Sequence, residues 1–266
     1  MTTTATDRRD RRPIDAKPLG AWRLEWLRLV RSPRLASLMA VYLFFGLLGP
    51  VTARYMSKIL EHAESNLTII AGEPRPVDGM TNFISQANQT GLVVVIVVAA
   101  GALAFDARRG VSTFLRTRTR RMSTLVAPRF TISAAAAVAA YTLGTLGAWY
   151  ETTLLIGRLP AVSVLEGWLC GSVYLLFAVA VTTMAASVAR SLLGTVGLAV
   201  GILLVLPIAG TFSAVHRWLP SSLATAPVDL LGPAELVDYL PALSVAVVTT
   251  GALVAFALRR LQGREV

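Results

Sequence analysis

Lysine is almost missing from this chain, which holds only Lys17 and Lys58 among its 266 residues. No GxxxxGK[ST] run occurs, so the backbone cradle and the lysine that such a loop offers to nucleotide phosphates are not available. The chain is therefore expected to bind and hydrolyse no ATP itself. Cysteine is reduced to Cys170 in an apolar context, which leaves neither a disulfide framework nor a cysteine-rich metal site. His62 and His216 are the only histidines and lie far apart, so no zinc site is expected. GxSxG and HExxH are both lacking, and no span pairs two glutamates. The expectation is a chain that is not an enzyme and holds no cofactor of its own.

Charge is scarce as well: 15% of residues are charged and 55% hydrophobic, with a mean hydropathy of +0.62. Several apolar stretches approach the roughly 20 residues that cross about 30 Å of hydrocarbon at about 1.5 Å per residue. The expected spans are 35–51, 87–105, 130–149, 168–188, 192–212 and 240–258. They define an all-α polytopic membrane protein with six transmembrane helices. The run from Leu35 passes into Gly49 and Pro50 without a small-residue cleavage site, so it reads as a retained helix and not as a signal peptide. Only Arg190 and Ser191 separate the fourth and fifth spans, which predicts a tight helical hairpin, and Pro207 predicts a kink late in the fifth. The central turns of all six spans lack Asp, Glu, Lys, Arg and His. Proton- or sodium-coupled carriers keep a titratable or coordinating group at that depth, so this pattern argues against them.

Residues 1–18, rich in Thr, Asp and Arg, read as a disordered basic tail suited to an anionic membrane surface. Residues 19–34 read as an amphipathic interfacial helix. Leu19, Trp22, Trp26, Leu29 and Val30 fall on one stripe, and Arg23, Glu25, Arg28 and Arg31 occupy the rest. Trp22 and Trp26 suit headgroup depth and Arg23 and Arg28 suit lipid phosphates, so membrane lipids are an expected partner. Ser32-Pro33 predicts a break before Arg34.

A formal net charge of +10 would raise nucleic acid as a partner for a soluble protein, but here the location of the charge decides. Of the 25 Lys and Arg residues, 20 fall in residues 1–34, the segment 106–129, the Arg190 turn and the end from Arg259 onward. That asymmetry predicts both termini and the 106–129 loop on the cytoplasmic side of a multi-pass cell membrane protein, with no role for nucleic acid. The external loops are then 52–86, 150–167 and 213–239. In the last of these, Pro220, Pro227 and Pro233 exclude one long helix and leave room for short turns around Ala234 to Leu240. Small residues four apart, Gly197 with Gly201 and Gly167 with Gly171, mark helix packing, either within the chain or against a second copy.

The segment 106–129 combines seven arginines with Val111, Phe114, Leu115, Met122, Leu125 and Val126, which describes a short helix with one apolar face. Here the chain resembles the permease subunits of type-2 ABC exporters. The resemblance rests on the stretch from Glu25-Trp26-Leu27-Arg28 to Arg31-Ser32-Pro33, then on Asp106, Gly110, Thr113, Phe114, Leu115, Arg120 or Arg121, and Arg129. Asp106 stands where that family usually has Glu, and Val111 where it has Thr. The resemblance implies that Asp106 to Leu125 form a coupling helix docking on a separate ABC ATP-binding subunit, which holds ATP and Mg. Phe114 and Leu115 would be the inserted knobs, and Arg108, Arg109 and Arg116 would pair with acids. It also implies a second permease copy or paralogue, export of an amphipathic or lipid-like compound, and re-entrant or interfacial helices in the loop 213–239. A membrane scaffold or immunity protein without transport, and a polytopic lipid-modifying enzyme, stay open as alternatives.

Overall fold

A computed structural model describes residues 20–63, 74–103, 123–189, 191–211 and 213–262. The Asp106 to Arg116 site residues lie outside these, as do the tail and Leu19.

The described residues hold helices and connections, with no strand among them. A short α1 (Ala21–Val30) is followed by α2 (Pro33–Ala63) and α3 (Pro76–Gln86). From α3 the chain runs through one π-helical turn, Ala87–Gly91, into α4 (Leu92–Leu103). Beyond it come α5 (Ser123–Leu155), α6 (Ala161–Val188) and α7 (Leu192–Ala209). Two short helices, α8 (Ser213–His216) and α9 (Ala226–Asp229), flank a 3-10 turn at Pro220–Ala224, and α10 (Leu236–Gln262) closes the chain. Six helical stretches are long and apolar enough to cross a membrane, with α3, the π turn and α4 forming one of them. The protein is an all-α polytopic membrane protein.

The helices outrun the apolar stretches that announce them. The second span was expected at 87–105, yet its helix begins at Pro76. Gly79, Met80, Phe83 and Ile84 are buried at helical spacing there, while the exposed Thr81, Ser85 and Gln86 hide the pattern from a hydropathy reading. Pro76 stands at the first helical position and the Asp78 carboxylate accepts from the Arg75 backbone N–H at 2.8 Å, an N-terminal arrangement that was legible in the sequence. The loops shrink to match. The expected external loop 52–86 loses its first residues to α2, which continues to Ala63, and its last to α3. The loop 150–167 is reduced to five residues, Ile156 to Pro160, between α5 and α6. Backbone hydrogen bonding simply continues past the hydrocarbon edge once a helix has formed.

The fourth-to-fifth turn is as tight as expected. Residues 189–191 join α6 to α7, and the Ser191 Oγ caps α7 by accepting from the Gly194 N–H at 3.0 Å. Pro207 lies in the last turn of α7, which stops at Ala209 and not at Phe212.

α6 is the centre of the bundle: 78% of its most apolar stretch is buried, against 17% for α7 and for α10. Its Thr182, Thr183 and Ser187 hydroxyls are buried but donate to carbonyls of their own helix at 2.7 to 2.9 Å, so they add no polar demand to the core. The outer faces of α7 and α10 carry Leu193, Leu204, Ile208, Val237, Val247 and Val248, all exposed on the chain and suited to lipid.

Glycines set the closest crossings. Gly46 of α2 meets the Gly144 carbonyl of α5, Gly49 meets the Phe83 backbone of α3, and Gly171 of α6 leaves room for the Tyr141 ring. Around these positions Tyr42, Phe83 and Tyr141 form one aromatic knot, Tyr42 edge-on to Tyr141 at 6.1 Å and Phe83 stacked on it at 6.2 Å. Gly167 packs on Pro227 of α9, where an added Cβ would lie 2.7 Å from the proline Cα. Gly197 and Gly201 behave differently. An added Cβ would meet nothing within 4 Å at either position, so this pair makes no helix contact among the described residues.

Candidate functional site

At one end of the bundle the starts of α2 and α5 and the end of α4 come together under α1. α1 splits the stripe that was expected to hold Trp22, Trp26, Leu29 and Val30 together. Leu29 packs against the core, whereas Trp22, Trp26 and Val30 are about half exposed and point away from the bundle. Glu25, expected among the polar residues beside that stripe, is turned inward with its side chain 13% exposed. Its Oε1 accepts from the Arg129 Nε at 2.8 Å, and Arg129 is itself 5% exposed. A carboxylate and a guanidinium this little exposed and this close form a charge-assisted bond, stronger than one between neutral groups.

Arg129 was expected to end the loop 106–129. It stands instead in the second turn of α5, since the helix begins at Ser123 and carries Pro128 inside it. Pro128 is the sixth residue of this helix, past the four donors left unpaired at any helix N-terminus, so it interrupts the backbone ladder there. Val126, read as part of the apolar face of the loop, is fully buried against Leu258 and Leu261 of α10. Both changes share a cause: a basic residue next to an apolar run looks like a loop boundary until a partner carboxylate from another helix is known.

The ion pair walls a cavity of about 350 Å³ whose lining also includes Arg28, Arg34 and Ser133. Arg28 reaches the same Glu25 oxygen at 3.6 Å from its outer side. The Arg34 guanidinium lies over Gly101 of α4, with Nη1 only 3.0 Å from where a Cβ would stand. Leu29, Val98, Ala102 and Ile132 supply the apolar wall. Of the expected interfacial residues, Trp22, Arg23 and Trp26 therefore sit on the outside of α1, and Arg28 borders the cavity.

The opposite end is closed by the short helices of the 213–239 segment. Pro220, Ser221, Ser222 and Leu223 are buried, as are Ala226 and Leu230, so this segment folds into the bundle and is no open external loop. Two polar ties hold it. The Tyr239 hydroxyl donates to Asp229 at 2.9 Å, and the Asn88 Nδ2 on the π turn donates to the Ala224 carbonyl at 2.8 Å. Single π turns inside α-helices often mark functional positions, and this one aims Asn88 at the capping segment. Replacing Asn88 by Ala should leave the Ala224 carbonyl unpaired and lower stability by about 1–3 kcal/mol. Unfolding in mixed micelles would measure it, and limited proteolysis should cut near residue 224 sooner in the variant.

A second cavity, of about 400 Å³, lies between α5 and α6 and is lined by Thr142, Leu146, Trp149, Val164, Leu165 and Trp168. The Trp168 Nε1 donates to the Thr142 hydroxyl at 2.9 Å, which satisfies the indole and leaves an otherwise apolar crevice. Among the described residues no three His, Cys, Asp or Glu side chains gather where a metal ion could be held.

Fold and site together define a membrane protein with several spans and an interfacial helix locked to the bundle by a buried ion pair. An uncharacterized transmembrane protein of Bacillus subtilis (strain 168), YxlG, is 22% identical over 219 residues, which cover 81% of this chain and 85% of that protein. No protein family matches the chain. No solved structure matches it either.

Proposed function

We propose that this chain is the membrane subunit of an ATP-driven exporter, moved by a separate ABC ATP-binding subunit and paired with a second permease copy or paralogue. The observation that carries the reading is the Glu25–Arg129 bond. It ties α1 to α5 within a few residues of the arginine-rich segment that leads into α5, beside the cavity that the start of α2 also lines. A soluble motor pulling on that segment would then move α4, α5 and α1 as one body. On this reading the segment and both termini face the cytoplasm, as the arginine distribution requires.

Two further features support it. The 213–239 segment is folded into the far end of the bundle, where a translocation path would need a cap, and Asn88 links that cap to the helix that enters the motor-facing segment. The apolar crevice between α5 and α6 suits an amphipathic or lipid-like cargo.

The test is co-purification with an ATP-binding cassette protein. Replacing both Phe114 and Leu115 by Ala should reduce ATPase capture at least tenfold while the variant stays folded in the membrane. Capture equal to that of the unaltered chain would refute the docking role, and so would a label near Arg116 reacting only from outside the cell.

A further inference from the structure

The cavity beneath α1 holds more positive charge than its own acid can balance. Glu25 is committed to Arg129 at 2.8 Å, and Arg28 touches the same oxygen only at 3.6 Å. Arg34 makes no hydrogen bond or ion pair among the described residues, although it is partly buried and its guanidinium is pressed onto Gly101. A guanidinium removed from bulk water without an anion is costly, and the first turn of α2, whose dipole is positive at that end, adds to the same field. Ser133, 5% exposed on the cavity wall, adds a hydroxyl that makes no hydrogen bond among the described residues.

We propose that this cavity binds the phosphate of a membrane phospholipid, with Arg34 as the principal ligand and Arg28 at the rim. Guanidinium groups grip phosphate oxygens through paired N–H donors, and Arg34 is already seated and short of an acceptor. The position fits a lipid: the cavity sits at the first turn of α2, the last turn of α4 and the start of α5, which is headgroup depth for three spans. Its volume of about 350 Å³ exceeds what a bare phosphate needs, and the Leu29, Val98 and Ala102 wall offers an ion nothing. The same wall suits a glycerol backbone and the first methylenes of an acyl chain. Trp22 and Trp26 on the outer side of α1 are about half exposed, as suits aromatic side chains among lipid headgroups. The inference does not depend on the exporter reading.

The experiment is native mass spectrometry of the full chain in detergent with added phosphatidylglycerol, phosphatidylcholine or inorganic phosphate. One phosphatidylglycerol should be retained, more tightly than phosphatidylcholine, and millimolar inorganic phosphate should not displace it. Arg34→Gln should weaken retention at least tenfold, the loss expected for a charged hydrogen-bonding partner. Gly101→Val should weaken it too, by placing methyl groups where the guanidinium rests, while Gly197→Val, on an open face, should retain lipid like the unaltered chain. Circular dichroism and gel filtration identify any variant that has failed to fold, and the other then decides. Folded Arg34→Gln and Gly101→Val proteins that hold phosphatidylglycerol undiminished would overturn the proposal. Displacement by inorganic phosphate would also overturn it, in favour of a free-anion site.

Discussion

Arg129→Ala should destabilise the protein by about 3–5 kcal/mol, because it leaves the Glu25 carboxylate buried without its guanidinium. The expected loss exceeds the worth of the bond itself. A hydrogen bond to a charged group contributes about 1.5–3 kcal/mol net, and the remainder is the cost of a carboxylate at 13% exposure left with only the more distant Arg28 at 3.6 Å. Glu25→Ala should destabilise the protein as well, because Arg129, at 5% exposure, loses its 2.8 Å carboxylate partner. The double variant Glu25→Leu, Arg129→Met should recover much of either loss, since apolar groups of similar size often match a buried ion pair in stability. Unfolding in mixed micelles measures all four proteins as one cycle, and additivity of the single losses would show that the two residues are not coupled. In the single variants α1 should also come away from the bundle, so that a cysteine placed at Leu29 becomes reactive to a water-soluble maleimide.

The second large effect lies at the α2–α5 crossing. Gly46→Ala places a methyl group on the Gly144 carbonyl, a backbone atom that no rotamer change can move. Gly144→Ala meets the Tyr42 carbonyl at 2.7 Å and the Phe83 ring at 3.0 Å. Either should cost about 1–3 kcal/mol through overpacking, and Gly46→Leu should prevent assembly of the bundle. The contrast with Gly201→Ala is sharp. That position has open space on the chain, so the substitution should be neutral or stabilise by up to about 1 kcal/mol, the helix preference of Ala over Gly. Equal losses at Gly46 and Gly201 would contradict the packing described above.

The same contrast shows where a sequence reading of small-residue motifs stops. Spacing picks out Gly197-Leu-Ala-Val-Gly201 as readily as Gly167 with Gly171, because both put two glycines on one helix face. Only the neighbouring helices determine which face is covered. Gly46 and Gly144, the tightest contact onto backbone, follow no four-residue pattern with each other, since they come from different helices. Asn88 was similarly opaque: the expected span 87–105 includes it, but its role appears only with Ala224, 136 residues away.

Length and composition of the apolar runs were enough to determine a six-span helical membrane protein, the tight turn at Ser191 and the break at Ser32-Pro33. These depend on local properties, namely hydrocarbon thickness, backbone hydrogen bonding and proline geometry, which each segment carries by itself. Tertiary structure alone decided that Glu25 turns inward to Arg129, that Arg34 rests on Gly101, that α6 is central, and that the proline-rich 213–239 segment folds back as buried helices. Each of these depends on a partner distant in the chain. In a bilayer, moreover, an apolar residue gains little by facing protein in place of lipid, so hydrophobicity finds the spans without saying which of their faces meet.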